Sequence, residues 1–218
     1  MLFFLKSLSG RQYVALELLI LIVLTPLFLI FGPRDSAINI TLAILFLGYI
    51  AWGATWTKSE IWKNPTHNLR QRTKHAWITI SVFTALLIIV FFYLAHHQQI
   101  SVRNFLSALF LYFIWALIQQ TIFQFYFLGR LRVALSFVPA YVIIILNGLA
   151  YGLVHYPDKE LMALTSLGGI VWSYCYYRDR LLTPIALSHA LLGTTYYYLI
   201  IGDDLFALVV SRWLSAVQ

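Results

Sequence analysis

Hydrophobic residues along this chain fall into long unbroken runs, at about 13–31, 36–57, 76–95, 104–128, 134–154, 161–177, 183–201 and 205–217. None of the runs alternates with period two as a half-buried strand would. A helix needs about 20 apolar residues to cross a hydrocarbon core about 30 Å thick. Most of the runs reach that length; 161–177 and 205–217 are shorter. The separators are polar and brief: Gly32-Pro33-Arg34-Asp35, the charged stretch Lys58–Lys74, His96-His97-Gln98-Gln99, Arg130–Arg132, Pro157–Glu160, Arg178-Asp179-Arg180 and Gly202-Asp203-Asp204. No separator is long enough for a second domain. The pattern predicts an all-α, polytopic transmembrane helix bundle of about eight helices, a single membrane domain over residues 1–218.

Charge fixes the expected orientation. Of 15 Lys and Arg residues, 12 fall at the N-terminus, in the second, fourth and sixth separators or at the C-terminus, and three, Arg34, Arg103 and Lys159, fall in the others. Loops rich in Lys and Arg stay cytoplasmic, so the split predicts an even number of spans and two cytoplasmic termini, as in a bacterial inner-membrane protein. Composition agrees: 61% of residues are hydrophobic and 11% charged, with mean hydropathy +0.80, against about 25% charged in soluble domains. The net charge of +7 is spread over short loops, which argues against a nucleic-acid partner and for the lipid bilayer. The first run is too long for a signal peptide and is read as a retained helix. Cys175, the single cysteine, excludes an internal disulfide and reads as a small buried hydrophobe.

Polar residues inside apolar runs are costly in a bilayer and tend to mark a cavity or a site. Three places qualify. Gln119, Gln120 and Gln124 interrupt the fourth run; Asn147, Tyr151 and His155 recur every four residues in the fifth, which places them along one helix face; Ser188 and His189 follow Pro184 in the seventh. Glu17, one turn inside the first run, is expected to reach back to the interface.

In this order the three places resemble the CPBP family of CAAX proteases and bacteriocin-processing enzymes, over about residues 104–201. The family pattern is Glu-Glu-x3-Arg on one helix, Phe-x3-His at the end of the next and His-x3-Asn or Asp two helices later. Here it reads Gln119-Gln120-x3-Gln124, Tyr151-x3-His155 and His189-x3-Gly193. The resemblance implies an intramembrane protease fold with His155 and His189 at the catalytic positions, where they polarise a water or hold a divalent metal, the one cofactor it admits. Two histidines fall short of the three protein ligands typical of catalytic zinc.

The substitutions carry equal weight. The family's first glutamate is the general base, and a carboxamide has no basicity to replace it. The second glutamate and the arginine form an ion pair, replaced here by neutral Gln120 and Gln124; the oxyanion amide is replaced by Gly193. The expected function is therefore a degenerate protease fold that binds a membrane peptide, a lipidated tail or a protein partner without cleaving it. Family roles span CAAX processing, protein sorting and bacteriocin maturation or immunity. The alternatives are an active endopeptidase using His155 and His189, and a small transporter or channel subunit. Gln119, Gln120, Gln124, His155 and His189 are expected to share one cavity. Reporter fusions test the topology: those after Thr66 and Val217 are expected to report cytoplasm and one after Asp204 the opposite face, and a cytoplasmic signal at Asp204 removes the eight-span arrangement.

Overall fold

A computed structural model describes residues 10–31, 41, 45, 46, 48–50, 68–95, 101–204 and 206. Most of the predicted spans 36–57 and 205–217, and the polar separator His96–Gln99, lie outside the described residues. Within them the secondary structure is helical: α1 Gly10–Phe31, α2 Leu69–Leu94, α3 Val102–Gln120, a π-helical segment Thr121–Phe127, α4 Leu128–Ala134, α5 Ala140–Leu153, α6 Lys159–Asp179, α7 Leu182–Tyr196 and a second π-helical segment Tyr197–Ile201. Local chemistry sets several starts. Asn68 accepts from the Gln71 N–H at the head of α2, Ser101 from Asn104 N–H at the head of α3, and Asp158 from Leu161 N–H at the head of α6, each satisfying a donor that a first turn leaves without a partner.

Two helical runs, Leu69–Leu94 and Val102–Ala134, are long and apolar enough to cross a bilayer, and only 17% of each apolar window is buried. The core helix of a soluble protein would be mostly buried; here Ile78, Val82, Leu86 and Ile89 of α2 are all more than half exposed. The second run departs from the sequence pattern. Arg130–Arg132, read as a polar separator, lies inside the helix, and the chain turns only at Leu135–Pro139.

The chain divides into two compact units, Met1–Thr66 with Ile122–Tyr177, and His67–Thr121 with Arg178–Gln218. In the first unit α1 packs on α4, and α4 on α5. Glu17 joins them. Its carboxylate accepts hydrogen bonds from the hydroxyls of Tyr49 and Tyr126 and pairs with Arg130 Nε at 3.0 Å. Glu17 and Arg130 are 8% and 6% exposed, so Glu17 does not reach for the interface as its position suggested. Burial without a partner would cost several kcal/mol per ion, and pairing with the arginine and the two hydroxyls offsets part of it. Helices α5 and α6 approach closely at small residues, as packing in an apolar solvent favours. A Cβ at Gly148 would lie 2.5 Å from Ile170 N, one at Gly152 2.6 Å from Met162 O, and one at Gly169 3.0 Å from the Gly148 Cα.

In the second unit α7 packs against both α2 and α3. Ile185, Ala186 and Ala190 on α7 have no exposed surface, the Thr84 and Ser188 hydroxyls meet at 2.7 Å, and Phe91 stacks edge-on against Tyr196. At the far end Asp204 accepts from Tyr198 OH at 2.6 Å and Asn104 Nδ2 at 2.5 Å, closing the unit behind the turn at Gly202.

The close approach of α5 and α6 yields a test. Gly148→Ala forces backbone apart and is expected to cost about 1–3 kcal/mol, measured as thermal unfolding in detergent. Gly10→Ala, where a Cβ meets nothing within 4 Å, serves as control and should leave stability unchanged or slightly raised.

Candidate functional site

In the second unit the site is built around His189, which is 3% exposed. Its Nδ1 faces the Gln120 side-chain nitrogen at 3.3 Å and its Nε2 the Tyr112 hydroxyl at 3.5 Å, with the two rings stacked edge-on, centroids 5.5 Å apart. An amide nitrogen only donates, so Nδ1 carries the lone pair and Nε2 the proton, in the placement that faces the amide nitrogen toward the ring. Tyr112 and Gln120 are eight residues apart on α3, two turns along one face. Gln119 lies beside Gln120, and its side-chain oxygen is buried without a hydrogen-bond partner among the described residues.

Gly193 explains how Tyr112 reaches the histidine. It follows His189 by one turn on α7, and a Cβ there would overlap the Tyr112 ring, 2.9 Å from Cζ and 3.0 Å from the hydroxyl oxygen. The space an asparagine side chain would fill is held by a phenol. Tyr112 was not singled out in the sequence, where it is one of 14 tyrosines; its spacing from Gln120 is the signal that could have found it.

In the first unit Gln124 and Asn147 have no exposed surface. Asn147 Nδ2 donates to the Gln124 side-chain oxygen at 3.2 Å and to Ser173 Oγ at 2.7 Å, and the Ser173 hydroxyl donates to Gly169 O at 2.5 Å. Gln124 Nε2 and Asn147 Oδ1 remain without a hydrogen-bond partner among the described residues. One turn on, Tyr151 is enclosed by Phe123 and Trp172, with ring centroids at 4.6 and 5.5 Å.

His155 follows in the turn after α5, half-buried, its Nδ1 3.2 Å from both Tyr151 O and Thr165 Oγ1. A carbonyl oxygen can only accept, so Nδ1 bears the proton and Nε2 keeps its lone pair. Burial holds the imidazole below its usual pKa and outweighs the backbone hydrogen bonds and nearby Asp158, which act the other way. At neutral pH His155 is therefore uncharged.

The structure thus brings Gln120 to His189 within one unit, and aligns Asn147, Tyr151 and His155 with Gln124 in the other. Among the described residues no group of three His, Cys, Asp or Glu side chains gathers to hold a metal ion.

Residues 101–195 match the Rce1-like family, described as type II CAAX prenyl endopeptidases. That segment, less than half of the chain, is similar to the Rce1-like family. It contains both histidines, the three glutamines and Gly193, and nearly coincides with the stretch on which the sequence resemblance rests. No curated protein and no solved structure matches the chain. The matched segment thus carries Gln119 and Gln120 where the resemblance implies carboxylates, and Gly193, with the Tyr112 ring beside it, where it implies an asparagine or aspartate.

The last exchange is open to a double-mutant cycle. Gly193→Asn alone is expected to cost about 1–3 kcal/mol through overlap with Tyr112. In a Tyr112→Ala background the same change should cost at least about 1 kcal/mol less. Additive costs, read from unfolding in detergent, would show that the ring does not depend on Gly193.

Proposed function

We propose that this chain is a multi-pass membrane protein whose Rce1-like domain binds a membrane-embedded peptide, a lipidated protein tail or a partner protein without hydrolysing it. The membrane part is supported by the apolar runs and the lipid-like exposure of α2.

The loss of hydrolysis is carried by a single observation: amides stand where a base is required, with Gln120 set on His189 and the Gln119 oxygen buried beside it. Attack by water needs a group that takes its proton, and a carboxamide does not. The two buried carboxylates among the described residues are committed elsewhere, Glu17 to Arg130 and two tyrosines, Asp179 to His75. Binding is supported by the amide atoms Gln119 Oε1, Gln124 Nε2 and Asn147 Oδ1. Each buried group without a partner costs about 1–3 kcal/mol, so a polar ligand that reaches one recovers that cost.

The test uses a farnesylated peptide ending in a CAAX sequence. Purified protein in lipid nanodiscs is expected to retain the peptide and to release no tripeptide from it. His189→Ala should weaken retention several-fold, while Gln119→Ala leaves the peptide intact as before. Cleavage that disappears in His189→Ala would overturn the proposal, since loss of a catalytic acid or base normally costs a factor of about 10² to 10⁴.

A further inference from the structure

A second cluster of charged groups, away from His189 within the same unit, gathers where α6 ends and α2 begins. Arg180 passes through the left-handed region at φ 56°, and Arg72 serves the end of α6 by donating from Nε and Nη2 to Asp179 O, at 2.8 and 2.5 Å. Asp179 itself is 1% exposed and pairs with His75 Nδ1 at 2.5 Å. Arg178 Nη1 lies 2.6 Å from His75 Nε2. Arg178 Nε lies 3.8 Å from the other carboxylate oxygen.

The outcome is an open recess lined by Gln71, Arg72, Arg178 and Asp179. It holds two guanidinium charges against one carboxylate, and that carboxylate is turned to His75. Both arginines are fixed by contacts to the protein, so a ligand need not order them. Among the described residues Arg72 Nη1 makes no hydrogen bond and no carboxylate faces Arg72. Arg70 and Lys74 are exposed on the same first turns of α2.

We propose that this recess seats the phosphate of an anionic phospholipid headgroup. Planar guanidinium groups match phosphate oxygens in pairs. The source is a lipid rather than free phosphate because of what lies directly below. Gln71, Lys74, Ile78, Val82 and Leu86 follow one another at three- and four-residue spacing along one face of α2, and the last three are 52%, 55% and 59% exposed. Charge at the mouth of an apolar strip matches a headgroup above its acyl chains. Trp77, 38% exposed, stands at the level where indole rings prefer the interface. The inference rests on the membrane reading above, which puts this end at the cytoplasmic face, where anionic lipids are concentrated.

Native mass spectrometry of the protein released from mixed nanodiscs tests it, with phosphatidylglycerol and phosphatidylcholine as probes. Phosphatidylglycerol is expected to be retained preferentially, and Arg72→Gln with Arg178→Gln to lower that retention about 30-fold. Gln71→Glu adds a carboxylate to the recess without touching the Arg72–Asp179 contacts, so it should abolish the preference even where the double variant fails to fold. Arg103→Gln, on the first turn of α3, should leave the preference unchanged. Equal retention of both lipids, an equal loss in Arg103→Gln, or displacement of lipid by inorganic phosphate would each overturn the headgroup seat. A protein that enters nanodiscs without lipid preference defeats this inference alone; one that stays in solution without detergent defeats the membrane reading with it.

Discussion

Buried polar groups must find their partners inside the protein, and that constraint organises both units. Outward faces of the long helices are apolar, so an unpaired amide, hydroxyl or charge has no surface to retreat to. Each unit meets much of the demand locally, though Gln119 Oε1, Gln124 Nε2 and Asn147 Oδ1 have no partner among the described residues. Glu17 is wrapped by two phenols and a guanidinium; Asn147 bridges Gln124 and Ser173; Asp179 holds an imidazole. These contacts decide which helices lie side by side, because apolar surface alone gives little preference for one neighbour over another in lipid.

The same constraint clarifies how a hydrolytic scaffold can lose its charges without losing its fold. Taking out one member of a buried ion pair leaves the other stranded, at a cost of about 3–5 kcal/mol. Replacing both by amides keeps hydrogen bonding and removes the stranded charge. In the non-hydrolytic reading proposed above, Gln120 and Gln124 are such replacements; both are fully buried. The π-helical segment begins at Thr121, directly after Gln120, and contains Gln124. Wide turns of this kind recur at functional positions, and this one lies in the middle of the polar stretch. Tyr112 lies on the other side of His189, in the volume that Gly193 leaves clear.

Much of this was legible in the sequence. The helical character, the two histidines, the glutamines and the stripe Asn147–Tyr151–His155 follow from periodicity and from the cost of polar groups in apolar runs. Where reading failed, the cause was contact between segments distant along the chain. Arg130 reads as a loop residue because positive charge normally ends a span, and only Glu17, more than a hundred positions earlier, lets it stay inside a helix. Tyr112 looks like any interfacial aromatic until the absence of a side chain at Gly193 gives it somewhere to go. The α2–α6 charge cluster likewise joins Arg72 to Asp179 across 107 residues, a juxtaposition that no local pattern encodes.

The Glu17–Arg130 pair also has a bearing on biogenesis. In the membrane arrangement proposed above, helix α1 emerges from the ribosome well before its counter-charge has been synthesised; of its partners only Tyr49 follows early, by 32 residues, while Tyr126 follows by 109 and Arg130 later still. During that interval a lone carboxylate must be inserted at a cost of about 2.5–3.5 kcal/mol if it reaches mid-bilayer, or the helix must wait in a polar shelter. Helix α1 is thus expected to remain with the insertion machinery until α4 arrives. Assembly of the first unit would then be post-insertional, with its first-made helix among the last to be released into lipid.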